Sequence, residues 1–239
     1  MKNTTKNTTI IFDMDGIIFD TENMFLGCWQ KVAADYGLKA IDEVYKSVIG
    51  VHAEKTKEIF LAFYGPCFDY DKLSGLAIDI FYEKARTAGI PQKLGAKELL
   101  HALSENNYHI GLASSTRTDI VRSQLKAAGL LKYFKVVVGG DMAEKSKPAP
   151  DIFLKALALM EALLGEKLTA HETYAVEDSF NGVRAASLAG MKVIMVPDIV
   201  KPDDEMKKLA FQILPNMLAV KELFFGPSSH PAPVTNKKH

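Results

Sequence analysis

The sequence has no apolar run approaching the ~20 residues that a membrane-spanning helix takes, so no membrane anchor or membrane partner is expected. It has no excess of either charge, since 29 Lys and Arg balance 29 Asp and Glu. A dedicated nucleic-acid binder carries a basic stripe, and that class is set aside. There are only two cysteines, Cys28 and Cys67, without metal-ligand spacing. Free thiols in a reducing compartment are the expected state. The six histidines show no H-x-x-x-H spacing and read as structural or surface groups. The opening M-K-N-T-T-K-N-T-T has no apolar core of a secretory signal. These absences leave a cytoplasmic, monomeric protein as the expectation. With 239 residues and 48% hydrophobic content, the chain can bury one large core, or a core with an appendage.

What is present is organised around Thr9 to Glu22, T-I-I-F-D-M-D-G-I-I-F-D-T-E. The apolar run Ile10, Ile11, Phe12 stops abruptly at Asp13, and Asp15 and Gly16 follow. Such a run, bounded by turn formers, reads as a buried strand. Two carboxylates therefore sit where a buried strand meets a loop, and such crowding calls for a cation or a shared proton. A calcium loop would need another ligand before the glycine and a closing Glu at a fixed offset, and neither is present. From 22 to 93 the pattern turns helical. Phe25, Trp29, Val32 and Ala33 share one face of a helix ending near Gly37. A second helix runs through Ile59 to Tyr64, and a third from Tyr70 to Ala88, closed by Gly89 and Pro91. This insert reads as a lid over the acidic mouth, with a merely stabilising subdomain as the rival.

From Gly95 strands and helices alternate. Helices are expected over 96–106, 118–128, 149–164 and 181–189, and strands over 109–113, 135–138, 173–176 and 192–196. That rhythm predicts an α/β fold with a doubly wound parallel sheet and helices on both faces. The expected organisation is a core of 1–21 and 94–226, a helical cap of 22–93 and a frayed polar tail of 227–239. Right-handed crossovers bring the carboxyl ends of parallel strands to one edge. The residues following the strands then form a set: Asp13 and Asp15, Ser114 and Ser115, Lys147 in S-K-P-A-P-D, and Glu177 and Asp178. Carboxylates, hydroxyls and an ammonium together suit phosphoryl transfer, which needs charge neutralisation and positioning. Each member has a rival reading: Ser114 and Ser115 could cap a helix, and Lys147 could be a solvated lysine.

The segments F-D-M-D-G-I-I-F-D-T-E, G-L-A-S-S-T, S-K-P-A-P-D and V-E-D-S-F-N-G-V-R-A-A resemble the four motifs of the haloacid dehalogenase superfamily. They are most similar to its subgroup with a small helical cap after the first motif, which holds β-phosphoglucomutase and many sugar-phosphate phosphatases. The resemblance covers nearly all of the chain before Gly226. It implies Asp13 as the nucleophile that forms an aspartyl-phosphate and Asp15 as general acid and base. It implies Ser114, the Ser115 amide and Lys147 as phosphate-binding groups. It implies Mg²⁺ held by Asp13, Asp178 and the backbone carbonyl of Asp15, with Glu177 in support.

Asp15 argues against dehalogenation, which does not need the second acid. A phosphonatase would carry a Schiff-base lysine in its cap, and Lys31 and Lys55 qualify by type only. The contest is phosphatase against mutase. The mutase subgroup has a histidine where this chain has Phe25, an arginine where it has His52 and Ala53, and a cap lysine near Ile78. A mutase must grip a second phosphate with cations, so their absence favours hydrolysis. A silent regulator would be free to lose Asp13, Asp15, Lys147 or Asp178, yet all four are present. The expectation is an Mg²⁺-dependent hydrolase of a small phosphorylated metabolite, a sugar phosphate. Glu22, His52 and Lys55, with Trp29, are the candidate substrate contacts.

Overall fold

Thr9–Phe12 (β1) is buried along its whole length and is flanked by a parallel strand on either side. The computed structural model describes residues 8–49, 51 and 53–226; the expected tail therefore falls outside the described residues. After β1 come α1 (Thr21–Tyr36), α2 (Ile41–Val48), α3 (Ala53–Tyr64), α4 (Tyr70–Ala88) and α5 (Ala96–Glu105). Next are β2 (His109–Ala113), α6 (Thr118–Ala127), β3 (Val136–Val138), α7 (Asp151–Leu164), β4 (Tyr174–Glu177) and α8 (Phe180–Leu188). The chain continues with β5 (Lys192–Met195), α9 (Asp204–Leu209), β6 (Gln212–Ile213) and α10 (Met217–Phe225).

The sheet order is β3-β2-β1-β4-β5-β6, with every pairing parallel. Alternation along each strand divides the side chains between two layers. Ile10, Phe12, Ile110, Leu112 and Val137 pack with Leu99, Leu103, Val121 and Met217 from α5, α6 and α10. Ile11, Ala113, Val138, Ala175 and Val193 pack with Phe153, Met160, Val183 and Ala186 from α7 and α8. Burial on both faces explains why the strands read as continuous apolar runs. This is the doubly wound α/β fold that the alternation predicts. Strand order reverses between β1 and β4, and the crevice at such a switch point is where open parallel sheets bind ligands.

The helices α1 to α4 share a separate apolar cluster built around Phe60, whose ring stands 4.8 Å from Trp29 and 5.2 Å from Tyr70. Trp29 is therefore core to this layer, 2% exposed. The two connections to the sheet run side by side: Asp20 N–H donates to Pro91 O at 2.8 Å and Lys93 N–H to Ile18 O at 2.9 Å. Lys93 Nζ then bonds Asp20 Oδ1 at 3.2 Å and Asp198 Oδ1 at 2.7 Å. Among the described residues, no helix is long and apolar enough to cross a membrane. Cys28 and Cys67 are both free.

Three differences from the expected elements have local causes. The helix expected from 149 begins at Asp151, because Pro150 disfavours helical backbone in the residue before it. The two-residue edge strand β6 has no apolar run to announce it. The helix α10 begins where the Asn216 carboxamide accepts the Ala219 N–H at 3.0 Å, an N-cap that the sequence reading passed over.

Candidate active site

Asp13 prolongs β1 by one ladder bond, its N–H donating to Val176 O at 2.9 Å. The chain then folds back on itself. Gly16 N–H bonds Phe19 O at 2.8 Å, and the Ile18 and Phe19 N–H groups both bond Met14 O. Met14, Ile17, Ile18 and Phe19 are all buried. The apolar I-I-F after the glycine thus anchors a tight turn that carries Asp15 back beside Asp13. Gly16 has φ +76°, and a Cβ there would run into the Asp178 carboxylate. The turn after β1 and the end of β4 can close up only on glycine.

Lys147 reaches this point from the loop before α7. Its Nζ lies 2.6 Å from Asp13 Oδ1, 2.6 Å from Glu177 Oε1 and 3.3 Å from Ala113 O. An ammonium has three donors, so this one is saturated by protein and is not a solvated lysine. Glu177 is 0% exposed. Its Oε2 accepts from Asp178 N and Ser179 N, both at 2.9 Å, and from Ser179 Oγ at 3.1 Å. Both Glu177 oxygens are therefore occupied. The carboxylate also sits against Gly182, where any Cβ would collide with it. The N-G of the fourth motif is the sequence signal for that close approach.

Asp15 Oδ2 accepts from Thr116 Oγ1 at 3.1 Å, and Ser114 Oγ lies 3.5 Å away. Ser114 is fully buried and also receives Thr116 N–H on its hydroxyl at 3.1 Å, while the exposed Ser115 lines the cavity. Neither serine caps α6. Asp141 does so from across the sequence, accepting Thr118 N–H at 2.6 Å and Thr118 Oγ1 at 2.8 Å. Thr116 was not singled out from the sequence; the hydroxyl run S-S-T after β2 is the signal that carried it.

Burial dominates the electrostatics. It pushes Asp13 up to about 8 against the pull of Lys147, with Glu177 and Asp15 adding to the rise. Burial likewise raises Asp15, opposed by its hydroxyl partners and Lys147. Asp178 is raised well above the carboxylate range by burial and then by Glu177 and Asp13. Carboxylate oxygens of Asp13, Glu177 and Asp178 lie within 4.8 Å of one another. With Glu177 spent on Lys147 and backbone amides, Asp13 Oδ2 and the Asp178 carboxylate are left without a donor among the described residues. Carboxylate oxygens left open to a ligand in an all-oxygen set fit a hard divalent cation such as Mg²⁺.

A cavity of about 610 Å³ opens over these groups. Glu22 of α1 lines it, together with Ile49 and Val51 from the helical layer. Lys55 does not reach it: it lies on the outer face of α3, 66% exposed, paired with Glu58 at 2.8 Å. Its selection by charge type alone ignored which way the helix face points. His52 lies outside the described residues.

A family model described as haloacid dehalogenase-like hydrolase matches residues 10–196. The chain is 29% identical over 187 residues to the "Phosphorylated carbohydrates phosphatase" of Thermotoga maritima, covering 77% of this chain and 82% of that one. It is 30% identical to the Drosophila melanogaster protein named "Probable pseudouridine-5'-phosphatase", covering 92% and 94% of the two. The solved β-phosphoglucomutase of Clostridium difficile superposes with a TM-score of 0.64 at 22% identity, over 91% of this chain and 95% of that one, and shares the fold. A doubly wound sheet with an acidic switch point thus belongs with hydrolases of this architecture. The chain is a member of the haloacid dehalogenase-like hydrolase family.

Proposed function

We propose that the chain is an Mg²⁺-dependent phosphoric monoester hydrolase acting on a small phosphorylated metabolite, with α1 to α4 as its cap. The carrying observation is Asp13: buried, held on Oδ1 by Lys147, with no donor to Oδ2 among the described residues, and followed two residues on by a second carboxylic acid. In this reading an Asp13 carboxylate oxygen attacks phosphorus, and the bond from phosphorus to the ester oxygen breaks. Asp15, whose carboxyl burial raises above its ordinary value, gives its proton to the departing alkoxide. Asp15 then takes a proton from water, which attacks phosphorus and frees Asp13 and inorganic phosphate. Lys147 offsets charge between Asp13 and the phosphoryl group, and Ser114 and Ser115 border the phosphoryl oxygens. Asp13, Asp178 and the Asp15 carbonyl would hold Mg²⁺, which would neutralise phosphoryl charge there. The named phosphatases among the relatives support hydrolysis of a sugar phosphate or similar ester.

The test is ³¹P NMR of the protein with Mg²⁺ and a panel of sugar phosphates that includes β-glucose 1-phosphate. Growth of inorganic phosphate is expected. A new phosphomonoester signal without free phosphate would make the protein a mutase instead.

The raised carboxyls give a second expectation. Asp13 titrates at an ordinary 3.8 in the unfolded chain and near 8 in the fold, and Asp178 is raised in the same sense. The metal-free fold therefore holds protons that the unfolded chain sheds. That contribution to stability is complete below about pH 4 and is lost as pH rises through 8. Lys147 keeps its charge across this window, its own titration raised further by Asp13 and Glu177 despite burial. Melting temperature in EDTA is expected to fall from pH 5 to pH 9. Added Mg²⁺ should flatten that fall and release protons into weak buffer at neutral pH. A flat profile in EDTA would mean that no such protons are held.

A further inference from the structure

The cavity extends beyond the reacting pair, and carboxylates outnumber cations in its lining. Glu22 and Asp198 join Asp13, Asp15 and Asp178 around it. Glu22 is fixed by one oxygen only: Tyr45 OH donates to Oε2 at 2.8 Å, and no group among the described residues donates to Oε1. Asp198 is similar. Its side chain is 7% exposed, Lys93 Nζ holds Oδ1 at 2.7 Å, and buried Oδ2 has no hydrogen-bond partner. The bordering cations are already committed. Lys147 is saturated, and Arg184 is clamped by Glu205 at 2.7 and 2.6 Å and by Asn181 Oδ1 at 3.2 Å. Ile49, Val51, Ile199 and Val200 complete the wall with apolar surface.

A ligand that satisfies this wall brings hydrogen-bond donors to the two open acceptors and C–H surface to the aliphatic side chains. A second phosphate or a carboxylate would be brought among carboxylates with no uncommitted ammonium or guanidinium among the described lining groups to receive it. We propose that Glu22, held by Tyr45 and seconded by Asp198, is the hydroxyl-binding residue for the leaving group. Through it the site selects singly phosphorylated sugars or polyols over substrates that carry a second anionic group. The inference rests on the phosphatase reading above.

The test is steady-state kinetics with Mg²⁺ on p-nitrophenyl phosphate, on a panel of three- to six-carbon sugar and polyol monophosphates, and on the matched bisphosphates. For the unaltered protein, kcat/KM for the best monophosphate should exceed that for its bisphosphate by about tenfold or more. Glu22→Gln keeps a carbonyl for Tyr45 but turns the open acceptor into a donor. It should lower the ratio of kcat/KM for that monophosphate to kcat/KM for p-nitrophenyl phosphate by roughly ten- to a hundredfold. A bisphosphate turned over as well as its monophosphate, or a protein active on p-nitrophenyl phosphate alone, overturns the proposal and leaves the phosphatase reading standing. A ratio unmoved by Glu22→Gln overturns the assignment to Glu22. No release of phosphate from any ester removes the phosphatase reading, and this inference with it.

Discussion

Asp13→Asn is expected to lower phosphate release by about ten-thousandfold or more while leaving the melting temperature at or above that of the unaltered protein. The two halves of that expectation come from the same geometry. Asparagine has the shape of aspartate and keeps a carbonyl oxygen for Lys147 Nζ, now 2.6 Å from Asp13 Oδ1. What it loses is a negative charge in a place that holds Glu177 and Asp178 as well. Burial already works against that charge, so removing it relieves crowding at least as much as it weakens the pairing with lysine. What it also loses is the nucleophilic oxygen, because a neutral amide does not attack phosphorus at a useful rate. The measurement is initial phosphate release with saturating substrate, run beside a thermal melt and an acid-quenched search for an acyl phosphate. The unaltered protein should show the acyl phosphate and the variant should not. Near-normal turnover in a folded variant would end the aspartyl-phosphate mechanism.

The strands and the acidic mouth were legible because the physics there is local and one-dimensional. A strand buried on both faces must be apolar throughout, and its end is marked where Phe12 gives way to Asp13 and Val176 to Glu177. The helix α4, expected from about Tyr70 to Ala88, was legible because Gly89 and Pro91 mark its end; its start is fixed by the Asp69 cap. The site's second layer is built from contacts between distant stretches, which leave no spacing to read. Thr116 meets Asp15 across 101 residues, and Lys93 meets Asp198 across 105. Glu177 shows the limit most clearly. The resemblance gives it a supporting role at the metal, and the structure spends both its oxygens on Lys147, two amides and a serine. A carboxylate's neighbours, and not its residue type, decide which role remains open to it. Lys55 failed for the complementary reason, since a charge on a helix does nothing for a site it faces away from.

Lys147→Met is the substitution with the largest expected effect on folding. The side chain is 7% exposed, and its ammonium stands between two carboxylates at 2.6 Å each. Methionine matches the stem and suits the Phe153 ring that now lies 5.0 Å from Nζ. The loss is therefore almost purely electrostatic. Breaking a buried ion pair by removing one partner typically costs ~3–5 kcal/mol, because the other charge stays behind unpaired. Here two stay behind, facing each other. For a chain of this size that is about 10 °C in melting temperature. The deficit should be larger at pH 8, through which Asp13 ionises, than at pH 5, where the fold keeps Asp13 protonated. Adding Glu177→Gln to Lys147→Met should return part of the loss, since glutamine's carbonyl can still accept the Asp178 and Ser179 amides without bringing a charge. Thermal melts of the single and double variants at both pH values give the comparison. A single variant that melts with the unaltered protein at pH 8 would mean that Lys147 does not neutralise Asp13 and Glu177 in the fold, and the role proposed for it at the phosphoryl group would lose its physical basis.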